Sequence, residues 1–211
     1  MNPSEWSALL LLAAATSFTP GPNTTLSTAL AANGGLRHAM PFVLSVPVGW
    51  ALLLVGCAAG VGTLVVALPW LRGLVVLSGV SYLVWLAFKL GRSARLAGLQ
   101  PDAVKVSFLH GVGLQFVNIK AWMLALSIVA GWIAGQPDAW LRVGMVLPVM
   151  VCFALASNLA YALVGSSLRH WLSGPWALGQ PTYRRLAGFN RGMAVALVAT
   201  AVWMLWSHSA H

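Results

Sequence analysis

The chain has 211 residues, of which 59% are hydrophobic and only 7% charged, against roughly 25% charged in a soluble domain. With a mean hydropathy of +0.83, this composition excludes a soluble domain and specifies an integral membrane protein, long enough for six spans at about 20 apolar residues each. The net charge of +9 is scattered over short loops with no basic, aromatic-interleaved surface, which excludes nucleic acid and leaves the lipid bilayer as the expected environment.

The six spans are predicted near 6–32, 39–67, 70–90, 108–133, 141–168 and 188–207. The N-terminal Met1-Asn2-Pro3-Ser4-Glu5 lacks a basic region, so the first span is expected to be retained rather than cleaved. That span is interrupted by Thr19-Pro20-Gly21-Pro22-Asn23. Two prolines and a glycine cannot continue an α-helix, and in lipid a broken helix survives only where protein or a water-filled cavity covers the break. Pro22 falls at the first position of a resumed half-helix. Its N-terminus would point free N–H groups and a partial positive charge at mid-membrane, which suits an anionic group. A packing kink needs less than this.

In span two, Gly49, Gly56, Gly60 and Gly62 allow close helix approach, and Gly56-Cys57-Ala58-Ala59-Gly60 matches the small-xxx-small pattern. Cys57 and Cys152 both fall inside spans, which argues against a disulfide framework. Span four carries the second polar interruption, Gln115-Phe116-Val117-Asn118-Ile119-Lys120. Lys120 lies about 12 residues, or roughly 18 Å, from either end of its span, too deep for its ammonium to snorkel out. An isolated charge there costs at least ~2.5–3.5 kcal/mol. Either it caps carbonyls freed by the break in span one, or it handles substrate or protons, and the second is expected. Gln115 and Asn118 are candidates for the same site or for interhelical hydrogen bonding. Ser157, Asn158 and Tyr161 of span five form a possible third wall, with packing as the alternative. His110 at a span end reads as interfacial.

No His/Cys/Asp/Glu cluster has metal-ligand spacing, no Ser-His-Asp set converges, and no phosphate-cradling glycine loop precedes a lysine. No metal, cofactor or enzymatic activity is therefore expected. The only acids are Glu5, Asp102 and Asp138, all near span ends or in loops. No carboxylate is available at mid-membrane to carry protons or to pair with a cationic substrate side chain.

Orientation follows from the basic residues. Arg37; Lys89, Arg92, Arg95 and Lys105; and Arg169, Arg184, Arg185 and Arg191 occupy loops one, three and five, nine of the twelve bases. Arg72 and Arg142 stand alone in loops two and four. The positive-inside rule makes the odd loops cytoplasmic and both termini external. Trp6, Trp70, Trp132, Trp140, Trp203 and Trp206 then cluster at outer span ends, and Trp85 and Trp171 at inner ones. A single transporter domain, 1–211, divides into half-repeats of about 1–95 and 105–211, three spans each and thus opposite in orientation. Polar interruptions at the first span of both halves are the signature of an inverted-repeat transporter with a midplane site.

Thr19-Pro20-Gly21-Pro22-Asn23, followed by Gln115-Phe116-Val117-Asn118-Ile119-Lys120-Ala121, resembles the LysE/RhtB family of bacterial amino-acid exporters. Ser81-Tyr82-Leu83-Val84-Trp85-Leu86-Ala87 with Lys89, and Asn190-Arg191-Gly192, add to the likeness, which covers almost the whole chain. The resemblance implies amino-acid efflux across the bacterial inner membrane. Ile119 replaces the proline of the usual Asn-Pro-Lys-Ala motif, and in this the chain is similar to the cysteine/O-acetylserine exporter branch.

The expectation is an all-α secondary exporter of a small neutral amino acid or derivative (cysteine, O-acetylserine, homoserine or threonine type), driven by protons, with a homo-oligomer possible. Its site would lie between spans one and four. The half-helix after Pro22, with Asn23, would receive the carboxylate; Lys120 would contact it or exchange a proton; Asn118 and Gln115 would fix orientation. The rivals are a passive channel, which would need a continuous polar pore, and a membrane enzyme using Lys120 as a Schiff base or Cys57 and Cys152 as a redox pair.

Overall fold

The structure, a computed structural model, describes residues 1–93, 105–174, 176–177, 180–181 and 183–209. Arg95 and Asp102, counted among the loop charges, lie outside the described residues. Helices dominate. In chain order they are α1 (Pro3–Phe18), α2 (Pro22–Gly34), α3 (Leu36–Ala58), α4 (Val61–Ala67), α5 (Pro69–Ser93), α6 (Phe108–Val117), α7 (Ile119–Ile128), α8 (Ala139–Ser173) and α9 (Arg184–Ser209). A π-helical turn, Val129–Ile133, extends α7. A two-residue antiparallel ladder, Trp176–Ala177 with Gln180–Pro181, precedes α9.

Among the described residues, α3, α5, α8 and α9 are each long and apolar enough to cross a membrane. The α6–α7 pair passes the same test only when taken together and is bent by 68°, the form of a broken span or a re-entrant loop. The interruption at Thr19–Gly21 divides the first apolar run into α1 and α2, as two prolines dictate. The run 39–67, read from sequence as one span, is two helices instead. Gly60 adopts a left-handed conformation (φ +101°) between α3 and α4, which a residue without a β-carbon reaches at no steric cost.

Each broken segment packs on a long helix distant from it in sequence. The α1–α2 pair lies against α8, α6–α7 lies against α3, and α5 packs along α9. The core accordingly has two large layers, with a small third cluster of Ala32, Leu172 and Leu186. Leu30, Phe42, Leu86 and Leu197 centre one cluster; Leu9, Leu54, Ile128 and Met150 centre the other. Large apolar side chains also face outward, Leu11, Val66, Leu109 and Trp206 among them. Lipid tails can solvate such a surface, so its exposure carries no penalty in a bilayer.

Glycines set the closest approaches, though not where the small-xxx-small motif suggests. A β-carbon on Gly56 would meet nothing within 4 Å. One on Gly165 of α8 would collide with the Thr28 carbonyl of α2, and one on Gly79 of α5 with the Val117 carbonyl of α6.

The two ends of the bundle differ in chemistry. At one, the Arg142 guanidinium joins Glu5 at 3.0 Å and Asp138 at 2.9 Å, while Trp132 Nε1 donates to the Glu5 carbonyl. The hydrogen bond from Arg142 holds the Asp138 carboxyl below its usual range. At the other, Asn33 and Asn190 exchange amide hydrogen bonds at 2.8 and 2.9 Å. Arg169 covers Gly35 there, its Nη1 3.1 Å from where a β-carbon would stand, and Lys89 and Arg185 sit over Trp85 and Trp171.

Gly165→Ala should destabilise the protein by about 1–3 kcal/mol through overpacking between α2 and α8. Gly144→Ala, where the added methyl meets open space, should be neutral or stabilising by up to ~1 kcal/mol, since alanine is the better helix former. Melting of the two variants in detergent tests this; equal melting temperatures would contradict the packing described.

Candidate functional site

The break in the first apolar run exposes two unlike backbone ends within four residues. α1 ends in carbonyls that lack intrahelical donors, and α2 begins with N–H groups that lack intrahelical acceptors. The carbonyl end is met by side chains from elsewhere. Thr19 Oγ1 donates back to Ala15 O, Tyr161 of α8 donates to Phe18 O at 2.9 Å, and Lys120 Nζ donates to Thr19 O at 2.9 Å. A cation at a helix C-terminus is also favoured by the backbone dipoles. The capping of a freed carbonyl, one of the two roles read for Lys120 from sequence, is thus present in the structure. It uses one of the three ammonium donors.

The amide end is prepared differently. Gly21 is the cap of α2, its N–H donating to Thr24 Oγ1 at 2.9 Å. Pro22 has no N–H, so the amides of Asn23 and Thr24 are the first donors the helix offers outward. Gly21 also admits the lysine: a β-carbon there would stand 3.3 Å from both Cδ and Nζ of Lys120.

The second break matches the first in kind. Asn118, in extended conformation, caps α7 by accepting from the Lys120 backbone N–H at 3.2 Å. Ile119 and Pro22 are therefore each the first residue of a resumed helix. A proline is not required for this break, because the Asn118 side chain replaces the lost helical partner.

Gln115 does not face the open site. Fully buried, it exchanges two hydrogen bonds with Asn23, at 2.8 and 3.2 Å. A third bond, to Gly111 O, fixes its amide. Room for it comes from Gly49 of α3, where a β-carbon would stand 2.7 Å from Gln115 Cγ. Its action on the site is thus through Asn23.

Around these residues lies a cavity of about 70 Å³, room for roughly five water-sized groups at ~10–15 Å³ each. That is the scale of a small amino acid. Thr16, Ser17 and Thr19 of the carbonyl end, Gly21 to Thr24 of the amide end, and Asn118 and Lys120 all line it. So do Ser157 and Asn158, buried on α8, with Asn158 accepting from Ser27 at 2.9 Å. Tyr161 bonds the break but is not part of this lining. Pro20 lines a second cavity, of about 400 Å³, bounded by Ile119, Thr200 and Trp203. Thr19, Gly21, Pro22, Asn118 and Lys120 belong to both, so the two breaks form the partition between the cavities.

With Ala121, which follows Lys120 in the second motif, Trp50, Val46, Leu124, Met150 and Ala154 complete the smaller cavity. Sequence reasoning passed over all five, since apolar residues inside a span carry no signal of a cavity. Among the described residues, no group of three or more His, Cys, Asp or Glu side chains could hold a metal ion.

A family model described as LysE type translocator matches residues 14–207. Among curated proteins, the chain is 28% identical to a cysteine/O-acetylserine efflux protein of Klebsiella pneumoniae over 190 residues, 82% of this chain and 92% of that one. It is 30% identical to proteins of the same name from Escherichia coli strain K12 and Shigella sonnei, over 78% of this chain and 84% of theirs. No solved structure matches it. The chain belongs to the LysE type translocator family, and is a multi-pass membrane translocator of the inner membrane rather than an enzyme.

Proposed function

We propose that the protein is a secondary exporter of small neutral amino acids or their derivatives, of the cysteine, O-acetylserine, homoserine or threonine type, driven by the proton gradient. The observation that carries this reading is the pair of unlike helix ends in one cavity. A zwitterionic amino acid presents a carboxylate and an ammonium two bonds apart. The amides of Asn23 and Thr24, with Lys120, suit the carboxylate. The carbonyl end of α1, lined by Thr16 and Ser17, suits the ammonium. Among the described residues no acid lines the cavity, so a cationic side chain would find no partner there. The efflux proteins similar to this chain, named for cysteine and O-acetylserine, support the same substrate class.

In this reading Asn23 orients the carboxylate and Gln115 holds Asn23 in place. Asn118 keeps α7 aimed at the site, and Ser157 and Asn158 form the third wall. Thr19, Pro20, Gly21 and Pro22 are the backbone frame. The chain forms one transporter domain of six spans, with α1–α2 and α6–α7 as the broken first spans of two inverted halves. The reciprocal packing of each broken segment on the other half supports this. The first half then ends with α5 and the second with α9.

Lys120 couples transport to protonation: while empty it caps Thr19 O, and on substrate arrival it turns to the carboxylate. Lys120→Met should leave the protein folded but less stable, because it keeps the stem's bulk and removes a half-buried charge while leaving Thr19 O without that donor. Export under an imposed proton gradient in proteoliposomes should fall at least tenfold, about what one charge-assisted hydrogen bond contributes. Lys120→Arg should fail as well, since a guanidinium does not deprotonate and its planar fork differs from a point charge. Lys105→Met, an exposed change at the chain's basic end, should export normally. Wild-type export by Lys120→Arg with unchanged pH dependence would exclude proton exchange at this residue and make it a fixed anchor.

The loop charges place both termini outside and the odd loops in the cytoplasm. Ser4→Cys should react with an impermeant thiol reagent from outside intact cells, and Lys105→Cys should not, in a background with Cys57 and Cys152 replaced by alanine. Labelling at Lys105→Cys alone would reverse the orientation.

A further inference from the structure

The groups assigned so far deal with the carboxylate and ammonium common to every amino acid, and the third wall is already engaged within the protein, Ser157 and Asn158 donating to Ala154 O and Asn158 accepting from Ser27. The remaining wall does have one polar atom. Val46, Leu124 and Ala154 carry no hydrogen-bonding side-chain group, and Met150 carries only a weak thioether acceptor. Trp50, 5% exposed, carries an indole N–H. Among the described residues its Nε1 is the only buried side-chain nitrogen or oxygen without a hydrogen-bond partner. Other indoles of the same layer are satisfied: Trp122 donates to Phe116 O at 2.8 Å and Trp132 to Glu5 O at 3.0 Å.

A buried donor without a partner is destabilising, and a phenylalanine would fill most of the same space without one. The orphan stands in the wall of the cavity that holds Lys120 and the N-terminus of α2. Resting on the exporter reading, we propose that Trp50 determines side-chain specificity by donating its indole N–H to an acceptor atom on the substrate's side chain. An indole donates and cannot accept, which selects against side chains that only donate. The apolar neighbours offer nothing to balance a second charge. The matching class is an uncharged amino acid whose side chain bears an ester, ether or hydroxyl oxygen, in preference to an aliphatic chain of equal size. The nitrogen lies beneath the surface of the wall, so donation requires the indole to turn toward the bound molecule.

O-methylserine and norvaline differ by one oxygen in place of one methylene, so they isolate the acceptor. In proteoliposomes containing the full chain, wild type should move O-methylserine with a kcat/KM roughly tenfold above that for norvaline, the discrimination expected of one buried hydrogen bond. Trp50→Phe should bring that ratio to about one. Benzothienylalanine at position 50, which puts sulfur in place of N–H within the same bicyclic frame, should do the same, and it decides the matter if the phenylalanine variant does not fold. A purely structural Trp50 would lower both rates together and preserve the ratio, and that result would overturn the proposal. Equal wild-type rates for the two amino acids would also overturn it while leaving the exporter reading in place. Failure of the wild type to move either of them, or cysteine or threonine, would overturn both.

Discussion

The contact between Lys120 Nζ and the Thr19 carbonyl, 2.9 Å long, joins residues 101 positions apart and ties the two halves of the chain at their breaks. It exists because each half leaves something unsatisfied. The prolines of the first break free carbonyls at the end of α1, and the second break brings a half-buried ammonium to them. A freed carbonyl and a cation within an apolar span are each costly in a bilayer, and together they offset one another. The second link at this level, Asn23 with Gln115, is also made between the halves. The two breaks therefore depend on one another: neither has these partners without the other.

That mutual dependence also shapes the cavity. The same capping that satisfies the end of α1 leaves α2 with open amides, because Pro22 and Gly21 provide no competing side-chain acceptor at the first position. Lys120 keeps two donors beyond the one used by Thr19. The site thus holds spare positive character with no carboxylate among the described residues that line it, a charge balance suited to an incoming anion. The α2–α8 approach that brings Ser157 and Asn158 to the third wall depends on Gly165, which lies against the Thr28 carbonyl. Packing and site are in this sense set by the same few small residues.

Much of this was legible in the sequence, for identifiable reasons. Proline and glycine act locally, so the break at Pro20 to Pro22 could be placed from composition. A lone lysine far from either end of an apolar run stands out by energy alone, as Lys120 does. The Asn118 break was harder to grade, since Ile119 permits a continuous helix. The structure shows that the asparagine cap suffices for a 68° bend. What could not be read depends on contacts between distant residues. Gln115, readable as a site residue or as an interhelical hydrogen-bonding group, bonds Asn23. Gly56 looked like a contact and meets open space, while Gly165 and Gly79 make the close approaches. The turn at Gly60 lies inside an unbroken apolar run, where one glycine does not announce a left-handed conformation. Trp50 is one of 11 tryptophans, and only burial without a partner distinguishes it.

The central claim is that an amino-acid carboxylate binds at the N-terminus of α2, beside Lys120. A cryo-electron microscopy structure of the full chain in nanodiscs, determined with saturating O-methylserine, tests it directly. The account predicts the carboxylate within hydrogen-bond distance of the Asn23 or Thr24 amide and of Lys120 Nζ, with the Thr19 carbonyl released or shared. An amino acid bound elsewhere, with Lys120 Nζ still held by Thr19 O alone and no anion at the amides, would contradict it.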